Sequence, residues 1–137
     1  MKALETGSST TVNRETILEI MTTDAIQKLG IPAHIRGYKY LRYALILCTK
    51  NIEILTSNKK LLYTAVAAEF NTTYSRVRSD INRAIDIIWD KGNEEALRLY
   101  FGNTFYRRKR KPTNLEFIAH ISDMLRLRLK IMDLNQK

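Results

Sequence analysis

Ser75, Arg76, Arg78, Ser79, Asn82 and Arg83 lie within one short stretch of this chain, residues 75–83. Their chemistry is that of hydrogen-bond donors. Guanidinium groups present a planar fork that fits phosphate oxygens or the acceptor edge of guanine, and a carboxamide can pair with a base edge through both its oxygen and its nitrogen. Asp80 is the one acid in the stretch, so the group suits recognition of a polyanion better than proton transfer. The plainer reading is the solvated face of an amphipathic helix. What separates the two is the element that carries these side chains.

That element is legible from Leu62 to Gly92. A short apolar run (Leu62, Val66, Ala67, Phe70) stops at Asn71-Thr72-Thr73, and a longer amphipathic run follows at once. Two helices joined by so short a turn make a helix-turn-helix, whose second helix enters the DNA major groove. At about 100° per residue, Val77, Ile81, Ala84, Ile85 and Ile88 share one stripe. Arg76, Ser79 and Arg83 fall opposite, Ser75 and Asn82 at the edge, and Arg78 and Asp80 on the flanks. Thr72 or Thr73 is expected to cap the helix start and Gly92 to stop its end. Asn71 stands where a turn glycine is usual, and asparagine tolerates the left-handed conformation such a turn needs. Ala67 is small enough to let the two helices approach.

The rest of the chain supports this setting. A 137-residue chain that is 45% hydrophobic is long enough and apolar enough to bury one core. Its formal net charge of +9 favours polyanionic partners, nucleic acid before an acidic membrane surface. The single cysteine, Cys48, excludes an intrachain disulfide framework and reads as a buried, inert thiol in a reducing cytoplasm. No apolar run approaches the roughly 20 residues that span a bilayer, and the first residues lack a signal-peptide core.

The predicted fold class is all-α, a single domain of helices containing the helix-turn-helix. Residues 1–12 are small and polar and are expected to form a flexible N-terminal segment, with the domain over 13–137. One helix is predicted from Asn13 to Leu29, ended by Gly30 and Pro32, and a second from Gly37 to Lys50. A short apolar stretch, Ile52 to Leu55, leads into the helix-turn-helix. Asn93 can cap a further short helix that ends at Gly102. After a loop, Thr113-Asn114-Leu115-Glu116 reads as a capping box. The last helix carries Phe117, Ile118, Ile121, Leu125, Leu129 and Met132. Its stretch Leu125 to Lys130 also alternates as a strand would, but the helical phase begun at Phe117 runs through it.

Several stretches together are specific. Leu29 to Leu45 (LGIPAHIRGYKYLRYAL), Phe70 to Val77 (FNTTYSRV), Ala84 to Asn93 (AIDIIWDKGN) and Lys111 to Lys130 (KPTNLEFIAHISDMLRLRLK) are similar to the C-terminal effector domain of the master response regulator of bacterial sporulation. The resemblance covers about Asn13 to Lys130. It implies a domain of six helices that reads DNA through its helix-turn-helix, and head-to-tail pairing of two copies on adjacent sites through the last helix. Two departures stand out. The family normally joins this domain to a receiver carrying a phosphoacceptor aspartate, and no such pattern is present here: either the chain is a fragment of a longer regulator, or it is a stand-alone relative not switched by its own receiver. The reading helix also differs. Arg76 matches a family arginine, but Arg78, Ser79, Asn82 and Arg83 stand where the family typically has an acid, an arginine, an arginine and a histidine. Asn82 suits adenine better than an arginine would. The architecture is therefore expected to carry over and the preferred DNA sequence is not.

The base-reading candidates are thus Arg76, Arg78, Ser79, Asn82 and Arg83. The phosphate candidates are Thr72, Thr73 and Ser75 at the helix start, where unpaired N–H groups point outward, and the basic run Arg107, Arg108, Lys109, Arg110 and Lys111. Phosphate contacts add affinity and salt dependence but little sequence choice. Catalytic chemistry finds no support. His34 and His120 lack metal-ligand spacing and read as a structural loop residue and a helix-surface residue, no carboxylates pair for acid–base work, and there is no glycine-rich phosphate loop. No enzyme activity, cofactor or metal is expected. Trp89 reads as core, as do Tyr40, Tyr43, Tyr63 and Tyr100, whereas Tyr74 is placed to reach a DNA backbone. The expected function is a sequence-specific double-stranded DNA-binding transcriptional regulator of the bacterial nucleoid, a homodimer on tandem sites. The alternative is an interaction module that pairs with a full-length regulator of the same family, with Leu127 and Ile131 of the last helix as the surface. Non-specific nucleoid binding is the third reading.

Overall fold

The computed structural model describes residues 13–57, 59–102 and 110–135. The N-terminal segment 1–12 and the cations Arg107, Arg108 and Lys109 lie outside the described residues. Helices α1 (Arg14–Leu29), α2 (Arg36–Lys50), α3 (Glu53–Ser57), α4 (Lys59–Glu69), α5 (Tyr74–Lys91), α6 (Glu94–Phe101) and α7 (Asn114–Asn135) follow one another, and no strand occurs among the described residues.

The helix ends follow local chemistry. Asn13 caps α1 by accepting from the Thr16 amide, and Asn93 caps α6 by accepting from that of Ala96. At the start of α7, Thr113 Oγ1 accepts from the Glu116 amide at 3.1 Å while Glu116 Oε1 accepts from the Thr113 amide at 2.9 Å. That reciprocal pair is the predicted capping box. The strand-like stretch Leu125 to Lys130 is helical: Leu125 and Leu129 are buried one turn apart, and Leu127 points away at 52% exposure.

One element was not expected. Glu53–Ser57 is a separate short helix, so the described residues hold seven helices and not six. Five residues are too few to show a 3.6-residue period. The stretch is started locally, by Asn51 Oδ1 accepting from the Glu53 amide at 3.2 Å.

Helix α2 is the hub, packing against α1, α4, α5 and α7. Leu41, Ala44 and Leu45 are fully buried there, and they meet Ile26 and Leu29 of α1, Ile81 and Ile85 of α5, and Phe117, Ile118 and Ile121 of α7 in one continuous core. Tyr40 and Tyr43 close its α4 side against Phe70, with ring centroids 5.3 and 5.6 Å apart. Gly37, near the start of α2, lies against the backbone of α5: a Cβ there would stand 2.3 Å from the Asp80 carbonyl oxygen and 2.9 Å from Ala84 Cβ. Helix α5 stops at Gly92, as expected. The Gly92 backbone is extended (φ −72°, ψ 174°), not left-handed, and glycine is needed because a Cβ would lie 2.5 Å from the Leu29 carbonyl oxygen.

Cys48 sits in this core with no exposed surface, and burial pushes its thiol up to about 12. At pH 8 the thiolate fraction then falls about three orders of magnitude below that of an exposed cysteine. Native protein is therefore expected to react with a thiol reagent at least ~100-fold more slowly than urea-unfolded protein, as timed by mass spectrometry. Equal rates would show Cys48 to be accessible. The same shift makes the folded state hold its proton where the unfolded state has lost it. This contribution to stability is therefore intact below the ordinary thiol range and is lost as pH rises toward about 12.

Candidate nucleic-acid interface

The turn between α4 and α5 is built by three residues. Asn71 takes up the left-handed conformation at φ 52°, the one described non-glycine residue to do so. This lets the Thr72 amide return to the Ala67 carbonyl at 2.9 Å and end α4. Thr73 then caps α5, its Oγ1 accepting from the Arg76 amide at 3.1 Å. The two helices leave this turn packed on each other, with Val66, Ala67, Val77 and Ile81 all buried.

Val77, Ile81, Ala84, Ile85 and Ile88 are fully buried, as the helical phase predicts. A helix held along one whole stripe cannot rotate, so its opposite face is fixed in space. Ser75, Arg76, Arg78, Ser79, Asn82 and Arg83 are all exposed on α5, and Thr73 is exposed while Thr72 is half-buried. Among the described residues no carboxylate pairs with the guanidinium groups of Arg76, Arg78 or Arg83. Three cationic forks thus stand on one rod with their donors turned to solvent.

The remaining charges near this face are already partnered. Arg36, at the start of α2, pairs with Asp80 at 3.2 Å, which neutralises the carboxylate that would otherwise repel a phosphate. Lys111 Nζ donates to Asn82 Oδ1 at 2.9 Å and to Asp86 Oδ1 at 2.5 Å. Arg110 pairs with Glu116 at 3.6 Å. Of the predicted basic run, then, Lys111 is held against α5 and Arg110 against the α7 cap. Asn114 Nδ2 donates to the Arg78 carbonyl at 3.1 Å and ties the start of α7 to α5. Between these elements runs a groove of about 810 Å³ with Ser75, Arg78, Ser79, Asn82 and Lys111 on its walls. Tyr74 borders it, 38% exposed, edge-on to the buried Tyr63 at 5.2 Å.

Sequence reasoning missed Arg36, Gly37 and the link from Lys111 to α5. Arg36 and Asp80 are 44 residues apart, and Lys111 and Asn82 are 29 apart. No local pattern connects either pair.

The two histidines are not brought together. His34 is exposed in the turn before α2, while His120 stacks on Phe101 at 4.7 Å with its Nε2 at 2.5 Å from the Tyr100 carbonyl oxygen. His120 is thus a surface residue, as expected, with one ring face packed. Trp89 is half-buried, edge-on to Phe101 at 5.3 Å. No group of three histidine, cysteine or acidic side chains is placed to hold a metal among the described residues, and no described helix is long and apolar enough to cross a membrane. In a comparison with known protein families, the model described as sporulation initiation factor Spo0A C terminal matches residues 22–125.

Proposed function

The chain belongs to the Spo0A C-terminal family of DNA-binding effector domains, and from that premise we propose that it is a sequence-specific double-stranded DNA-binding transcriptional regulator with α5 as its reading helix. One observation carries this: a face of Arg76, Arg78, Ser79, Asn82 and Arg83, exposed and clear of carboxylates on the arginines, on a helix immobilised by its buried stripe. Arg76, Arg78, Ser79, Asn82 and Arg83 read base edges. Thr72, Thr73 and Ser75 meet the phosphate beside the helix start, where the α5 amides point outward. Arg107, Arg108 and Lys109 add phosphate contacts, each steepening the salt dependence of binding by a slope of roughly 0.9. Arg110 does so only where it also keeps Glu116, and Lys111, held by Asn82 and Asp86, is left to orient the reading face. Residues 13–137 work as one unit in this reading, at the bacterial nucleoid, with no catalytic step.

Pairing of two copies is supported by α7. Leu127, Ile131 and Leu134 are 52%, 57% and 66% exposed at i, i+4 and i+7 and form an apolar stripe that none of the described residues covers. The same stripe favours a second reading, a module that pairs with a full-length regulator of its family.

The test is selection of bound duplexes from a random pool at about 150 mM salt, where non-specific attraction is damped. A regulator is expected to enrich one motif and to bind it at least ~10³-fold more tightly than scrambled duplex. A pool that stays random rejects specific reading. Equal tight binding of every duplex would then mark a non-specific nucleoid protein, and no binding would leave the interaction module.

A further inference from the structure

Asn82 is the reading residue whose side chain the protein itself orients. A lysine ammonium has three donors and no acceptor, so the atom of Asn82 that faces Lys111 at 2.9 Å must be the amide oxygen. Asp86, one turn further along α5, holds the same ammonium at 2.5 Å. Lys111 is itself fixed in sequence between Arg110 and Pro112 at the approach to the α7 cap, and its side chain is only 30% exposed. With Oδ1 engaged from this side, the Nδ2 hydrogens are the groups of Asn82 left to point away from the protein.

We propose that Lys111 is a specificity-determining residue: by holding Oδ1 of Asn82 it makes position 82 a reader of acceptor edges, guanine above all, instead of the adenine that a free asparagine selects. The inference rests on α5 being the reading helix. A free asparagine pairs with adenine by accepting from N6 and donating to N7. Beside the Lys111 ammonium, an incoming N6 amino group meets donor against donor. Guanine offers O6 and N7, both acceptors, to the Nδ2 hydrogens. Lys111 acts through Asn82 and Asp86, so it is a positioning residue. Asp86 has its part too, since its carboxylate keeps the ammonium on the protein and away from the nearest phosphate.

The random-pool selection tests this with three variants of the whole chain. Asn82→Ala marks the base position that residue 82 reads, because preference there should flatten. In Lys111→Met the guanine-to-adenine ratio at that position is expected to fall about tenfold, with the other positions unchanged. Asp86→Asn loosens the ammonium and should shift the ratio in the same direction by less. It keeps the test open should Lys111→Met fold poorly, which thermal melting would reveal. An unchanged base preference in both Lys111→Met and Asp86→Asn overturns the proposal. So does a uniform loss of affinity in Lys111→Met with the salt slope reduced by roughly 0.9, which is the mark of a plain phosphate contact. If Asn82→Ala flattens no position, the proposal also fails. A wild-type protein that enriches no motif overturns the reading function first, and this inference with it.

Discussion

Arg83→Ala is expected to weaken binding to the selected duplex by about 10- to 100-fold while leaving binding to scrambled duplex nearly unchanged. Arg83 is exposed on the face of α5 opposite the buried stripe, and among the described residues it holds no carboxylate. A guanidinium on a guanine edge is worth about 1–3 kcal/mol of discrimination. The same group on a phosphate would lower affinity for all duplexes alike and reduce the salt slope. Fluorescence anisotropy with selected and scrambled duplexes at about 150 mM salt separates these outcomes. A parallel loss on both duplexes removes Arg83 from the base-reading set. No loss on either removes α5 as the reading helix. The proposed self-pairing through the Leu127 and Ile131 stripe would lie on another helix and should survive the change. That survival is what distinguishes a DNA-binding defect from a folding defect.

Gly37→Ala is expected to destabilise the fold by about 2 kcal/mol, a loss of roughly 6 °C in Tm. Two effects compete. Alanine in a helix is favoured over glycine by up to about 1 kcal/mol, which predicts a stabilised variant. Against that, the new methyl would stand 2.3 Å from the Asp80 carbonyl oxygen and 2.9 Å from Ala84 Cβ. Backbone and a core methyl cannot swing aside as a flexible side chain can. Helices α2 and α5 must separate, and overpacking of this kind costs about 1–3 kcal/mol or more. The clash should therefore win, and the sign of the change decides. Thermal melting with circular dichroism reads it directly, and a Tm at or above that of the parent would mean the two helices have slack. Asp80 lies on α5, the proposed reading helix, and is held by Arg36, the residue next to Gly37. The variant should thus also misplace the α5 face and weaken specific DNA binding beyond its effect on stability.

Much of this protein was readable without coordinates. The buried stripe of α5 follows from a 3.6-residue period in Val77, Ile81, Ala84, Ile85 and Ile88, and the exposure of Arg76 and Arg83 follows from the same phase. The Asn71 turn, the Thr73 cap and the Thr113–Glu116 box are chemistry between near neighbours. Burial of Cys48 follows from its apolar helical setting. Each of these is local, and local structure is set by residues a few places apart. Tertiary packing alone decided the rest. It placed Lys111 against Asn82 and Asp86, brought Arg36 to Asp80, and made Gly37 a site where no side chain fits. Those relations join residues 25 to 47 places apart, and they exist only because α2, α5 and α7 cross at one core. The charge on a reading face is written in the sequence. Which of its atoms remain free to meet a partner depends on neighbours that the chain brings in from elsewhere.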